Sequence, residues 1–236
     1  MQQRRNLTSL LGIAALIVAA LTSEAQQVVY NSVDQSAIAG YSELNTANPI
    51  FGDALTLGAG GHLSFLGLTL FNSSSGGNTG SILTGSMVVK FYDNTVPYAG
   101  GSLAASDPLI ASATLTWDFT AGGGLPAGFY SVGTFDLTSL NINLPQNIII
   151  TQQFTETSGT STRNGVVLFG DATIGSSPNY VYLSSGGTPE GLYSFSGSAA
   201  NSQFGYHVEV VPEPSVLALA GLAGVTGLTF RRRKTA

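Results

Sequence analysis

The 236-residue sequence has no cysteine. That excludes a disulfide scaffold, a thiolate metal site and a cysteine nucleophile. It is also poor in charge: 9 % of residues are charged, against about 25 % in an ordinary soluble domain. Basic residues are scarcer still. Six of the eight Lys and Arg lie at the ends, leaving Lys90 and Arg163 to face eleven acids in residues 26–211. A body with that balance has no basic footprint for nucleic acid. There is one tryptophan, Trp117, and two histidines, His62 and His207. What is present is 43 % hydrophobic residues, 9 % aromatics and 30 glycines. This is enough apolar surface to fill a core, and it argues against a disordered chain.

The two ends read as addresses. Arg4 and Arg5 precede an apolar run at 10–21, then Ser23 and Ala25 at the −3 and −1 positions of a cleavage site. That is the layout of a signal peptide cut between Ala25 and Gln26, and it points to Sec-type export. The alternative is an uncleaved N-terminal anchor. At the other end, Val211-Pro212-Glu213-Pro214-Ser215 leads into an apolar run at 216–230 and then Arg231, Arg232, Arg233 and Lys234. The run makes a helix of about 22 Å, short of the roughly 30 Å hydrocarbon core, a gap that arginine snorkelling and local thinning reduce. The basic cluster stops transfer and stays cytoplasmic, so the body lies across the membrane. Two prolines fix φ and keep the Pro-Glu-Pro segment out of helix and sheet.

Pro212-Glu213-Pro214, the short apolar run and the arginine cluster, in that order, resemble the PEP-CTERM sorting signal of Gram-negative bacteria. The resemblance covers about 25 residues, 211–234. It implies recognition by an exosortase, a membrane-embedded cysteine protease that cuts near the Pro-Glu-Pro. It also implies a transient anchor, then a place at the cell surface or in an exopolysaccharide matrix. Pro212, Glu213 and Pro214 are then residues acted upon. The alternative is a plain tail anchor with a proline linker.

The body, residues 26–210, reads as all-β and as one domain between the signal peptide (1–25) and the sorting signal (211–236). Short runs rich in β-branched and aromatic residues alternate with Gly, Ser, Asn and Pro clusters. Strands are expected at 27–32, 54–57, 62–72, 86–92, 109–119, 128–136, 147–155, 165–172, 180–183, 192–195 and 204–211. In the fifth, Leu115, Trp117 and Phe119 share one face, and Thr114, Thr116 and Asp118 the other, which makes Trp117 a core residue. This many strands predict a single antiparallel β-sandwich, jelly-roll-like. The Ser-Gly-rich stretch 73–80 is expected as one hairpin loop. Residues 62–154 are similar in layout to β-sandwich bodies joined to this sorting signal. The likeness rests on Leu-Thr-Leu-Phe-Asn, Met-Val-Val-Lys-Phe-Tyr-Asp-Asn and the run from Pro108 to Ser112.

Catalytic patterns are missing: there is no Gly-x-Ser-x-Gly elbow, no His-Glu-x-x-His and no cofactor fingerprint. The expectation is a non-enzymatic protein without a cofactor. Asp53, Asp93, Asp107 and Asp171 are read at strand ends, where they are either ligands of a structural Ca²⁺ or turn formers that bond their own backbone. Tyr98, in a loop, and Tyr180 and Tyr182, on one face of a strand, are the candidate glycan contacts. The alternatives to a matrix protein are a polysaccharide hydrolase, whose paired acids would converge in a cleft, and a subunit that assembles through its edge strands.

Overall fold

The computed structural model describes residues 25–33, 38–43, 50–94, 108–177, 180–185, 188–194 and 203–212. Among them there are fourteen strands and no α-helix. They are β1 (Gln27–Asn31), β2 (Ile38–Glu43), β3 (Ile50–Thr56), β4 (Gly61–Asn72), β5 (Ile82–Asp93), β6 (Leu109–Asp118) and β7 (Tyr130–Asp136). There follow β8 (Asn143–Leu144), β9 (Asn147–Gly159), β10 (Asn164–Phe169), β11 (Tyr180–Ser185), β12 (Thr188–Ser194), β13 (Gln203–Phe204) and β14 (Tyr206–Val211). Gln27–Val210 form one compact unit.

The strands make two antiparallel sheets. One runs β12-β11-β3-β9-β5-β6. The other runs β1-β14-β4-β10-β13, with β7 and β8 on β4 and β2 on β10. Alternation sets the shared core. On β6, Ala113, Leu115 and Trp117 are buried while Ser112, Thr114, Thr116 and Asp118 are exposed. They pack with Met87, Val89 and Phe91 of β5, Ile148 and Ile150 of β9, and Leu66, Leu68 and Leu70 of β4. The β-sandwich expected from the sequence is therefore the architecture of the body.

Several boundaries move. The 54–57 run belongs to a longer strand, β3, so Asp53 lies mid-strand and opposite Ile150 and Val181 rather than at a strand end. The 73–80 stretch is not a hairpin loop: β4 and β5 belong to different sheets, and the stretch crosses between them. Asn72 holds that crossing. Its Nδ2 donates to the carbonyls of Gly80 (2.9 Å) and Leu125 (2.7 Å). Its Oδ1 accepts from Asn78 Nδ2 (3.0 Å) and Ser161 Oγ (2.7 Å). β6 and β7 end alike, in Thr-Trp-Asp-Phe-Thr and Thr-Phe-Asp-Leu-Thr. In each case the aspartate Oδ1 accepts the backbone N–H two residues on, at 2.9 Å, and a 3-10 turn follows.

Both apolar end segments, 10–21 and 216–230, lie outside the described residues. Among the described residues no helix is long and apolar enough to cross a membrane.

Candidate functional site

The unusual chemistry of the body is inside it. Asp53, Tyr30, Tyr206, Gln152 and Gln203 are each at most 2 % exposed. They come from β3, β1, β14, β9 and β13, so both sheets contribute. Ser177 Oγ donates to Asp53 Oδ1 at 2.7 Å, and the backbone amides of Ala54 and Phe204 donate to the same carboxyl. Tyr30 Oη donates to Gln203 Oε1 at 2.6 Å, and Gln152 Nε2 donates to Tyr206 Oη at 3.0 Å. Ser32 Oγ donates to the Phe204 carbonyl (2.8 Å) and accepts the Tyr206 N–H (3.0 Å). Burial pushes the Asp53 carboxyl well above the usual carboxylate range, against the pull of its three donors. Burial first, and the Asp53 charge second, raise both phenols, so Tyr30 and Tyr206 stay protonated. Enclosed by the two sheets, this cluster fastens them: Asp53 reaches across to Phe204, and Gln152 to Tyr206. Gln152 Oε1 is buried without a partner.

Of the four aspartates read as either Ca²⁺ ligands or turn formers, the three among the described residues do not come together. Asp53 is engaged as above. Asp93 closes β5, opposite Ile148. Asp171 is exposed after β10 and accepts from Gln203 Nε2 at 3.5 Å. Asp107 lies outside the described residues. Among the described residues no three His, Asp or Glu form a metal-binding group. The histidines divide. His207 Nε2 is 2.8 Å from Glu209 Oε1, a pair two apart on one face of β14. His62 is half-buried at the start of β4, and its Nδ1 has no partner. The His-x-Glu spacing on an alternating strand was the sequence signal for the first of these.

Of the tyrosines, Tyr98 lies outside the described residues. Tyr180 and Tyr182 take alternate positions on β11, opposite Ser194 and Leu192 of β12. Two exposed aromatics stand where β7 begins. Phe129 is 61 % and Tyr130 38 % exposed at the start of β7, and the Tyr130 ring meets Phe169 edge-on at 6.3 Å. Phe129 was missed; the Gly-Phe-Tyr run before an edge strand was its signal. Trp117 is in the core as expected, 5 % exposed and 4.8 Å from Phe135.

The residues expected at the two processing sites border the folded unit in sequence. Ala25 and Gln26 are exposed immediately before β1. Pro212 is half-buried immediately after β14. Glu213, Pro214, Arg231, Arg232, Arg233 and Lys234 lie outside the described residues.

Residues 210–234 match the PEP-CTERM protein-sorting motif. No curated protein matches the chain. Among solved structures, one from the infectious bursal disease virus Gx strain aligns at 16 % identity and a TM-score of 0.24. That alignment covers 81 % of this chain and 43 % of the viral one. A similarity of that size carries no argument about fold or function. The motif implies export and exosortase-dependent sorting to the surface. The chain carries a PEP-CTERM protein-sorting motif after a β-sandwich body to which the motif assigns no function of its own.

Proposed function

We propose that the chain is a non-enzymatic surface or matrix protein that an exosortase releases from a transient C-terminal anchor and that associates with exopolysaccharide. The observation that carries this reading is the sorting motif beginning where the last strand ends: β14 closes at Val211 and the matched segment is 210–234. Further support comes from the acids of the body that are already engaged. Asp53 is enclosed, Asp118 and Asp136 hold turns, and Glu209 pairs with His207. Tyr98, Tyr180 and Tyr182, with the exposed Phe129 and Tyr130, are the surfaces proposed to stack on sugar rings.

The test is co-sedimentation of residues 26–210 with the host polymer while polymer length is followed. Retention without shortening is the expected result. Shortened polymer makes the body a hydrolase and overturns the reading. A second reading, self-assembly, has its own observation. Among the described residues β6 pairs only with β5 and β7 only with β4. Neither open strand carries a Lys, Arg, Glu or Pro, the usual guards of an edge. Oligomers in the absence of polymer, lost when Thr114 is replaced by Lys, favour that reading.

A further inference from the structure

The six-stranded sheet stops at β6. Among the described residues β5 is its one neighbour. Phe119 N–H donates to Leu83 O (2.8 Å) just beyond the β5–β6 ladder. The register is regular from the Thr84–Asp118 pair to the Phe91–Ala111 pair, and hydrogen-bonded pairs alternate along an antiparallel ladder. The backbone groups of Ala113, Leu115 and Trp117 therefore face β5. Those of Ser112, Thr114, Thr116 and Asp118 face away from it, an N–H and a C=O at each. The side chains of these four are exposed as well. Residues 95–107, which enter β6 at its Leu109 end, lie outside the described residues. The four open positions belong to the other part of the strand, which runs into the described turn Thr120–Gly122.

An open edge of this kind takes another strand, and its sequence decides which. Read backwards, Ser112-x-Thr114-x-Thr116-x-Asp118 matches itself. With a two-fold axis at Leu115, Ser112 stands opposite the partner's Asp118, and Thr114 opposite the partner's Thr116. Every open N–H and C=O of the four is then paired, and the core-facing side of β6 keeps its place.

The charges select the same register. Asp118 is the one charged residue of β6. Here it lies six positions along the joint from the partner's Asp118, about 20 Å; a register that set the two opposite each other would pair like charges. Lys90, one of two bases in residues 26–211, is opposite Ser112 on β5. The partner's Asp118 falls in that cross-strand row, two strand spacings or about 10 Å from Lys90, a gap that the long lysine side chain largely spans. The hydroxyls fall in line too. Thr155 Oγ1 donates to Ser86 Oγ (3.1 Å), Ser86 is opposite Thr116, and the partner's Thr114 extends the row.

We propose that β6 pairs antiparallel with β6 of a second copy about a two-fold axis at Leu115, making one continuous twelve-stranded sheet across a closed dimer. The proposal rests on the self-assembly reading above and narrows it. A self-complementary joint uses the β6 edge of both copies and stops at two. Such a dimer also presents each polymer-contacting surface twice, which raises avidity for a repeating chain.

The absence of cysteine makes the register directly readable. Full-length chains carrying Thr114→Cys or Thr116→Cys are produced separately and by co-expression, purified in detergent, oxidised and separated without reductant. Opposed residues have Cβ atoms about 4.5–5.5 Å apart, and residues one pair out of step about 7–8 Å. The expected result is several-fold more disulfide-linked dimer from the co-expressed pair than from either chain alone. Thr114→Pro removes an outward N–H and no bond to β5, a place where an edge strand tolerates proline. Light scattering is expected to find dimer for the wild type and monomer for Thr114→Pro, with the thermal melt retained. Oligomers that cross-link equally in all three samples, or not at all, overturn the proposal alone, as does a Thr114→Pro chain that stays dimeric. A wild-type chain that is monomeric at every concentration overturns the self-assembly reading and the proposal with it.

Discussion

Trp117 offers the sharpest test of how the sandwich is closed on its β6–β7 flank. Its ring bridges the two sheets from an edge strand, 4.8 Å from Phe135 at 82°. A Cβ on Gly133 would collide with Trp117 Nε1, so β7 has a glycine where the indole lies. Yet Nε1 is buried without a hydrogen-bond partner. Two substitutions separate these effects. Trp117→Ala removes the ring and its edge-on contact, a loss of about 3–5 kcal/mol for a large aromatic in a core. Trp117→Phe keeps a ring against Phe135 and deletes the orphaned donor, whose burial costs about 1–3 kcal/mol. The smaller ring loses apolar contact, and the two terms largely offset, leaving about 1 kcal/mol or less. For a unit of this size each kcal/mol moves Tm by about 2–4 °C, so Trp117→Ala lowers Tm by roughly 6–20 °C. Thermal melts of residues 26–211 with matched urea titrations measure both variants. If Phe costs as much as Ala, or Ala costs under about 1 kcal/mol, the reasoning fails.

Gly52→Ala drives a Cβ into the Ile150 carbonyl oxygen across the β3–β9 pair, and a urea midpoint reads the expected loss of about 1–3 kcal/mol. Asp53 has a carboxyl raised by burial. As pH rises past about 4, the unfolded chain gives up this proton before the folded one does, so stability falls until the raised folded value is passed. Urea titrations from pH 3.5 to 8 find that slope in the wild type and not in Asp53→Asn; equal slopes contradict the assignment. Asp136 behaves in the opposite way. The Thr138 hydroxyl and N–H pull its carboxyl below 3.8, so its contribution is full above the unfolded value and lost as pH falls through the folded one. A carboxyl NMR titration places the midpoint below 3.8 in the wild type and higher in Thr138→Ala, which loses the hydroxyl and keeps the N–H.

Alternation made much of the sandwich legible. Ala113-Thr114-Leu115-Thr116-Trp117 declares its buried face in five residues, and the burial follows it. The Asn147–Gly159 strand has three isoleucines in a row at 148–150, a run with no competing helical period. Signals failed where the local sequence argued against strand. Asp53 follows Asn48-Pro49-Ile50-Phe51-Gly52, which reads as a turn, because Asp and Gly are poor strand formers. Only the Ser177, Ala54 and Phe204 donors, the last two from different sheets, make that carboxyl tolerable inside. Ile38–Glu43, with Ala and Gly at its centre, becomes β2 through pairing to β10. The two-residue β8 exists because β4 runs past it. The cross-sheet cluster was not legible at all, since Tyr30 and Gln203 are 173 residues apart. The sorting segment was legible in full because it is read as linear sequence, with no tertiary partner needed.

The account stands most directly on what happens after Val211. The full chain is expressed in exosortase-competent cells and in cells lacking the protease, and the mature protein is analysed by intact mass and C-terminal peptide sequencing. The predicted result is a chain ending close to Pro212-Glu213-Pro214 in the first case and at Ala236 in the second. A chain that still ends at Ala236 in exosortase-competent cells contradicts the account.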